Sequence, residues 1–455
     1  MKRFNLEKFL VERKVPVFVL LLTLFLGACI TVSFGWAVRH VLISNYDGNA
    51  HSRLGTFGET LLIIAEFPSL IKKTRKEVTV GGPQVISDRF PDLDGYVKSG
   101  EIQVGALEDK GYLLFSSYDR NKGQSTIQLI RISDQQILHE WVPDLDELRL
   151  LTNNKIFNSS YRIFHPLLLK DGSLVFYGSS LFKIDLSSSM RLYNNGNFHH
   201  SIELDAEGNF WLCSSMESPT YIDSLNIDND AIAKISPAGE ELFKKSVTTM
   251  LIENGFRGLL AAGISEGESD PIHLNDIQPA LTNSKFWEKG DLLLSMRHLS
   301  TIVLYRPRTN KIVWLKTGPW MNQHDADFVS DHEISVFGND VIDDSKGTVL
   351  LDGHNNIYIY DFTNDSVTTP YKKVMKSMEI RTLTEGLCEV LSNKDVFIEE
   401  TDYGRLLRLS PETAKWEFVR RVDNNHLSMI SWSRYLTEEQ VQDVLPKLQY
   451  FSYNQ

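Results

Sequence analysis

Three histidines and one arginine, far apart along the chain, are of types that could work together: His200, His273, Arg297 and His324. They fall within stretches that resemble one another: "HHSIELDAEGNFWLCSS" (199–215), "PIHLNDIQPALTNSKFWEKGDLLLSMR" (271–297) and "QHDADFVSDHEISVFGN" (323–339). Three imidazoles could hold a catalytic zinc with one open position. An arginine in the same set would repel a dication. Guanidinium and imidazole together better suit an anion with several oxygens, such as sulfate, sulfonate or phosphate, gripped by charge-assisted hydrogen bonds. A neutral imidazole is also nucleophilic near neutral pH, so one histidine could attack the group that the others hold. Cationic neighbours would keep it unprotonated and stabilise charge on the group in flight. Taken alone, His324 at the start of a strand is ordinarily satisfied by a backbone carbonyl; the chemical case rests on the set.

The elements that must bring the set together are strands. From about residue 100 short β-rich runs recur, among them "YLLFSSY", "SLVFYGSSLFKIDL", "STIVLYRP", "KIVWLKTG" and "NIYIYDF", each followed by a turn signal. The three stretches above align with "FHPLLLKDGSLVFYGSS" (164–180), "EGLCEVLSNKDVFIEET" (385–401) and "GALEDKGYLLFSSYD" (105–119), giving six units. Six such repeats predict an all-β, six-bladed propeller in which each small sheet buries its faces against its neighbours. The residues opening each repeat, including His165 and Gly386, should ring one mouth of a central channel. His165 reads as lining or structural and Gly386 as a backbone requirement. His298 adjoins Arg297 on a strand and is expected on the opposite face. Trp314 and Trp320 read as blade core, with Trp320 a candidate contact for an aromatic ligand. Arg405 is expected to line the channel or to form a surface ion pair.

Ahead of the repeats, "VPVFVLLLTLFLGACITVSFGWAV" (15–38) carries no charge and is long enough for a transmembrane helix. Lys2, Arg3, Lys8, Arg13 and Lys14 before it favour a cytoplasmic N-terminus, with the remainder outside the cytoplasm. A signal peptide with a lipid on Cys29 is the rival reading; the apolar run continues past that cysteine, which favours an uncleaved single-pass anchor. The expected layout is a cytoplasmic N-terminus (1–14), the anchor (15–38), a partly helical connector (39–95), the propeller (96–430) and a helical tail (431–455). Within the connector, Pro68 should end a helix, and Lys72, Lys73, Arg75 and Lys76 follow it. A net charge of -12 excludes a phosphate-neutralising nucleic-acid binder. Cys29, Cys213 and Cys388 have no metal-ligand spacing, and Cys213 and Cys388 read as buried free thiols or an exported pair. No oligomeric state follows from the sequence.

The order and surroundings of these residues resemble the bacterial arylsulfate sulfotransferases, exported propellers that work without the nucleotide sulfate donor. The resemblance lies in "HH" before "DAEGN", then "HLN", "SMRHLS" closing on "IVLYRP", "KIVWLKTGPW" leading to "QHDAD", and later "IRTLTEG" and "DYGRLLRL". It implies that His324 is the nucleophile, forming a transient sulfohistidine. It further implies that His200, with His199 as the fallback, His273 and the anion-gripping Arg297 complete the catalytic set, and that Asn275 and Thr382 contribute to binding substrate. A phenolic sulfate donor, a phenolic acceptor, a ping-pong course and no cofactor or metal follow from the same resemblance. The family usually shows "SSRHQ" where this chain has "SMRHL", the spacing from His273 to Arg297 is stretched, and a cysteine pair found near the nucleophile in some members is absent. Two readings of other classes remain beside it: a membrane-tethered binding or scaffold propeller, and a metal-dependent propeller hydrolase of lactonase or esterase type.

Overall fold

The computed structural model describes residues 16–46, 60, 64–65, 84–86, 89–90, 95–98, 108–152, 161–216, 229–263, 270–344, 347–423 and 426–453. The chain divides into two compact units, residues 1–79 with 224–226, and residues 80–223 with 227–455. In the first unit the main described element is the helix Val17–Tyr46. Its segment Val17–Val38 is long and apolar enough to cross a membrane, which suits an anchor or a signal sequence alike. Phe18, Leu24, Phe25, Ile30 and Val32 project outward from it. The hydroxyls of Thr23 and Thr31 bond back to carbonyls four residues earlier, so neither leaves a polar group unsatisfied in an apolar medium. Pro68 and the basic cluster after it lie outside the described residues.

The second unit is all-β and propeller-like. One sheet runs in the order Arg434–Leu436, Tyr112–Asp119, Gln124–Arg131, Ile137–Trp141, so a strand from the C-terminal end lies beside the first strands of the repeats. A second is formed by Leu274–Pro279, Leu292–Met296, Thr301–Arg306 and Lys311–Thr317. A third comprises Ala326–Phe328, Glu333–Gly338, Asn356–Asp361 and Ser366–Thr368. The fourth runs Leu387–Val390, Val396–Glu400, Arg405–Leu409, Ala414–Val419 and gains Gly95–Lys98 at its outer edge. A seven-stranded sheet, Phe164–Leu168 through Glu241–Ser246, completes the set, and the long strand Met190–Leu204 lies at its middle. All of these pairings are antiparallel, and most join strands consecutive in sequence, the arrangement that short turns allow; Arg434–Leu436 on Tyr112–Asp119 and Gly95–Lys98 on Ala414–Val419 are long-range.

Burial follows from the alternation of apolar residues, which gives every sheet two apolar faces. Leu114, Ile127 and Trp141 meet Leu174 and Phe176 across one gap. Trp211 and Ile232 meet Leu274, Leu292 and Val303 across another. Ile302 and Leu293 pack on Ile334 and Val336; Ile357 packs on Ile398 and Leu407; Phe397 and Leu406 pack on Leu113 and Phe115. The seven-stranded sheet also packs on itself, Leu167, Val175 and Leu181 against Ile202, Phe210 and Leu212.

Two short strands precede the repeats: Gln84–Ile86, within the expected connector, pairs with His426–Ser428, and Gly95–Lys98, where the propeller was expected to begin, pairs with Ala414–Val419. Their alternation is too short to stand out in sequence, and only the partner strands' open edges specify them. The tail expected to be helical over 431–455 begins with the strand Arg434–Leu436. Two helices follow, Glu438–Val441 and Leu445–Tyr453, the first opened by a capping box between Thr437 and Gln440. Cys213 and Cys388 are free, buried in different clusters.

Candidate active site

Left-handed backbone aims the histidines. His165, His200 and His273 have φ of +49°, +57° and +54°, and Glu385 and Trp432 stand at +55° and +57°. These positions open the first strands of the repeat units, or, for His200, lie in the strand that joins the halves of the seven-stranded sheet. Strand register slips beside them, between Leu212 and Cys213 opposite His199–Ile202, and between Phe164 and Leu167. A bulge of this kind turns a side chain off the pleat, and a non-glycine residue there costs on the order of 1–3 kcal/mol. The surrounding sheets therefore hold a strained backbone whose effect is to point imidazoles at one place.

His324 is positioned differently. Asn322, two residues earlier, takes the left-handed turn at φ +47°. Gln323 is fully buried and its Nε2 donates to the carbonyls of Met296 and Thr301 at 3.1 and 3.2 Å, fastening the loop to the preceding sheet. Asn275 Nδ2 donates to the Gln323 carbonyl at 3.2 Å. On the far side Asp325 Oδ2 accepts the Cys388 N–H at 2.8 Å, tying the loop to the next sheet.

These devices bring the set together. The ring centroids of His200 and His273 are 4.8 Å apart, and those of His200 and His324 are 6.3 Å apart. Arg297 Nη1 lies 2.8 Å from His298 Nε2, and the His298 ring stacks on His273 at 4.5 Å. His298 thus belongs to the cluster rather than to the opposite face, because the strand ends at Met296 and alternation no longer applies beyond it. His199 Nδ1 and His200 Nδ1 are 2.8 Å apart, and His199 Nε2 is 3.3 Å from Asp230. Thr382 is fully buried, but its hydroxyl donates to the Thr384 carbonyl of its own loop. What it offers the site is its carbonyl, which accepts from Asn339.

Asn339, Asp270 and His298 were not among the residues expected from the sequence. Asn339 fixes the protonation of His324. Its Nδ2 donates to the carbonyls of Thr382 and Glu385 at 3.1 and 2.9 Å, so its Oδ1 faces His324 Nδ1 at 2.8 Å as an acceptor. The proton of a neutral His324 therefore sits on Nδ1, and Nε2 carries the lone pair. The Glu385 N–H donates to that nitrogen at 3.1 Å. His298 is fixed in the same way, since its Nδ1 donates to the Asp270 carbonyl at 2.6 Å and leaves Nε2 to accept from Arg297. Asp270 also receives the His273 Nδ1 at 2.5 Å and the His273 N–H at 2.8 Å. Only "N" and "D" beside histidines could have signalled these partners, and sequence offers many such pairs.

Electrostatics divide the histidines into two kinds. Burial, and then the Arg297 charge, hold His324 well below the ordinary imidazole range. Burial and the neighbouring His199, His273 and His324 do the same for His200. For His199 burial pulls downward, yet the Asp230 carboxylate outweighs it and the pKa is raised. The site thus holds neutral imidazoles beside one that favours its proton. Asp270, His273 and His298 present ligand atoms within 4.8 Å of one another, but a metal ion there would face the Arg297 guanidinium and displace the bonds just described. A cavity of about 1080 Å³ is lined by His165, Glu203, Asp327, Glu389 and Arg434 and by none of His200, His273, Arg297 or His324. Its acidic wall does not suit an anion. Trp320 is fully buried among Ile302, Ile334 and Val336, and Arg405 is buried against Glu400 and Glu417; neither reaches the histidines.

The model of the arylsulfotransferase (ASST) family matches residues 165–421, more than half of the chain. None of the curated proteins compared with the chain matches it. Among solved structures, a protein of unknown function from Bacteroides caccae is similar at 13% identity and a TM-score of 0.45, over 72% of this chain and 99% of that one. Virginiamycin B lyase from Staphylococcus aureus is similar at 10% identity and a TM-score of 0.35, over 74% of this chain and 98% of that one. The WD40 propeller domain of Doa1 is similar at 10% identity and a TM-score of 0.34, over 70% and 77%.

Proposed function

The chain belongs to the arylsulfotransferase family, and from that premise we propose that it moves a sulfuryl group from a phenolic sulfate ester to a phenolic acceptor through a sulfohistidine on His324, without a nucleotide sulfate donor. The observation that carries this reading is the protonation of His324, with its proton committed to Asn339 and its pKa depressed, which leaves Nε2 as a nucleophile at neutral pH.

The course is ping-pong. Arg297 and His273 hold the sulfuryl oxygens of the donor. The Nε2 lone pair of His324 forms a bond to sulfur while the bond from sulfur to the aryl oxygen breaks. His200 gives that oxygen its Nε2 proton and takes another at Nδ1 from His199, whose pKa Asp230 raises. The sulfated imidazole keeps its Nδ1–H on Asn339. The acceptor phenol then returns its proton to His200, its oxygen bonds to sulfur, and the electrons of the nitrogen–sulfur bond go back to Nε2. Asn275 acts by holding the Gln323 carbonyl, and Thr382 by holding Asn339. Incubation with a chromogenic aryl sulfate followed by phenol titration tests the course: parallel double-reciprocal lines support it, and intersecting lines refute it.

The propeller has six blades in this reading. Support comes from the self-packing of the seven-stranded sheet, which makes Met190–Leu204 the outer strand of one blade and the inner strand of the next. Residues 15–38 anchor the chain in a membrane, with 1–14 in the cytoplasm, 39–95 connecting, 96–430 forming the catalytic propeller outside the cytoplasm and 431–455 closing and capping it.

A further inference from the structure

An imidazole nitrogen has one in-plane lone pair, and that of His324 Nε2 accepts the Glu385 N–H at 3.1 Å. A nucleophile so engaged must release this donor before it can attack. The segment that carries the donor is held at several points. The N–H groups of Leu383 and Thr384 donate to Asp402 Oδ2 at 2.7 and 3.2 Å, and Gly386 N–H donates to Thr401 Oγ1 at 3.1 Å. Glu385 itself, at φ +55°, is held by its side chain. Arg162 grips its carboxylate with two bonds of 2.7 Å. That guanidinium is in turn fixed by the Ile430 carbonyl and Ser431 Oγ at 2.8 and 3.0 Å and stacks over Phe164 at 4.6 Å. The ion pair joins the approach to the strand Phe164–Leu168 with the approach to the strand Leu387–Val390.

We propose that Arg162, acting through Glu385, is a positioning residue for sulfuryl transfer: the ion pair latches the Glu385 N–H onto the His324 lone pair in the resting protein. When a sulfuryl group enters, this donor turns from Nε2 to a sulfuryl oxygen, so the same N–H that masks the nucleophile steadies the group under attack. The step moves one hydrogen bond and neither makes nor breaks a covalent bond. Besides the ion pair, Glu385 is held through its carbonyl, which accepts from Asn339 at 2.9 Å, and that carbonyl belongs to the next peptide unit, so the Glu385 N–H can turn while the neighbouring N–H groups stay on Asp402 and Thr401.

The inference rests on the sulfotransferase reading of the site, and its test is independent of turnover. Diethylpyrocarbonate acylates free imidazole nitrogens, and peptide mass spectrometry gives the labelling rate of His324 beside those of His332 and His426 as internal references. Glu385→Asn tolerates a left-handed backbone and is too short to meet Arg162. It should label His324 roughly fivefold faster, which is what the loss of one net hydrogen bond amounts to. Arg162→Lys, with a single charged contact, should fall between. The double variant Arg162→Gln with Glu385→Asn removes the unpaired buried charge and keeps the test available if the single variant folds poorly. Faster labelling confined to His324 supports the latch even if no sulfated peptide is ever found. A His324 rate that is unchanged or slower in both Glu385→Asn and the double variant overturns it, whatever the activity.

Discussion

At His324, the proposed nucleophile, protonation is set by a carboxamide fifteen positions along the chain, whose two donors are already committed to the carbonyls of Thr382 and Glu385. Asn339→Ala removes the acceptor that keeps the proton on Nδ1, and kcat for aryl sulfate should drop by about 10²-fold with a smaller change in KM, measured by steady-state kinetics. The sign of the pH dependence follows from burial and Arg297, which depress the His324 pKa. The nucleophile is active when neutral, so the acid limb of kcat/KM should lie below the ordinary imidazole value of about 6.5, with no loss on that limb as pH rises through neutrality. A pH–rate profile checks this. That His200, His273 and His324 lie close together was legible in the sequence because each opens a repeat, with Arg297 at the end of the strand that follows His273. Asn339 and Asp270 were not, because their roles arise from bonds across strands that no spacing encodes. His298 was misassigned by extending strand alternation one turn too far.

The elements that carry these residues also bury charge along the propeller's inner strands. Glu389, on Leu387–Val390, is pushed up to about 8 by burial and by the Asp327 and Glu203 carboxylates, and Asp327, on Ala326–Phe328, is pushed up to about 7 by burial and Glu203. A carboxyl whose folded pKa is raised binds its proton more tightly in the folded state. Its contribution to stability is full below the unfolded value of about 4.3 and is lost as pH rises through the folded one. The melting temperature should therefore decline between about pH 5 and pH 8 on account of these groups, and Glu389→Gln should raise it by a few degrees at the upper end, read by thermal unfolding across pH. Strand existence was legible from alternation and turn residues. The strands Gln84–Ile86, Gly95–Lys98 and Arg434–Leu436 were not, since each is a short edge or closing strand specified by its partner.

For the whole molecule, closure and anchoring make separate demands. Arg434–Leu436 brings the C-terminal end beside Tyr112–Asp119, and Arg434 reaches the carbonyls of Pro166 and Ile202, so a chain ending at Trp432 should unfold at a markedly lower temperature. A chain beginning at Val80, the start of the second unit, should leave the membrane fraction while keeping aryl sulfotransferase activity, as fractionation and assay would show. The recurring strand-and-turn units made an all-β, propeller-like fold legible before any coordinate; that two of those units would run together through Met190–Leu204 into one seven-stranded sheet was not. The central claim concerns one atom. Full-length protein incubated with a chromogenic aryl sulfate, quenched in alkali to spare the labile nitrogen–sulfur bond and digested for mass spectrometry should carry added sulfuryl on the His324 peptide, and His324→Ala should carry none and turn over no ester. Turnover that persists in His324→Ala, or a sulfuryl group found on another residue, would contradict the account.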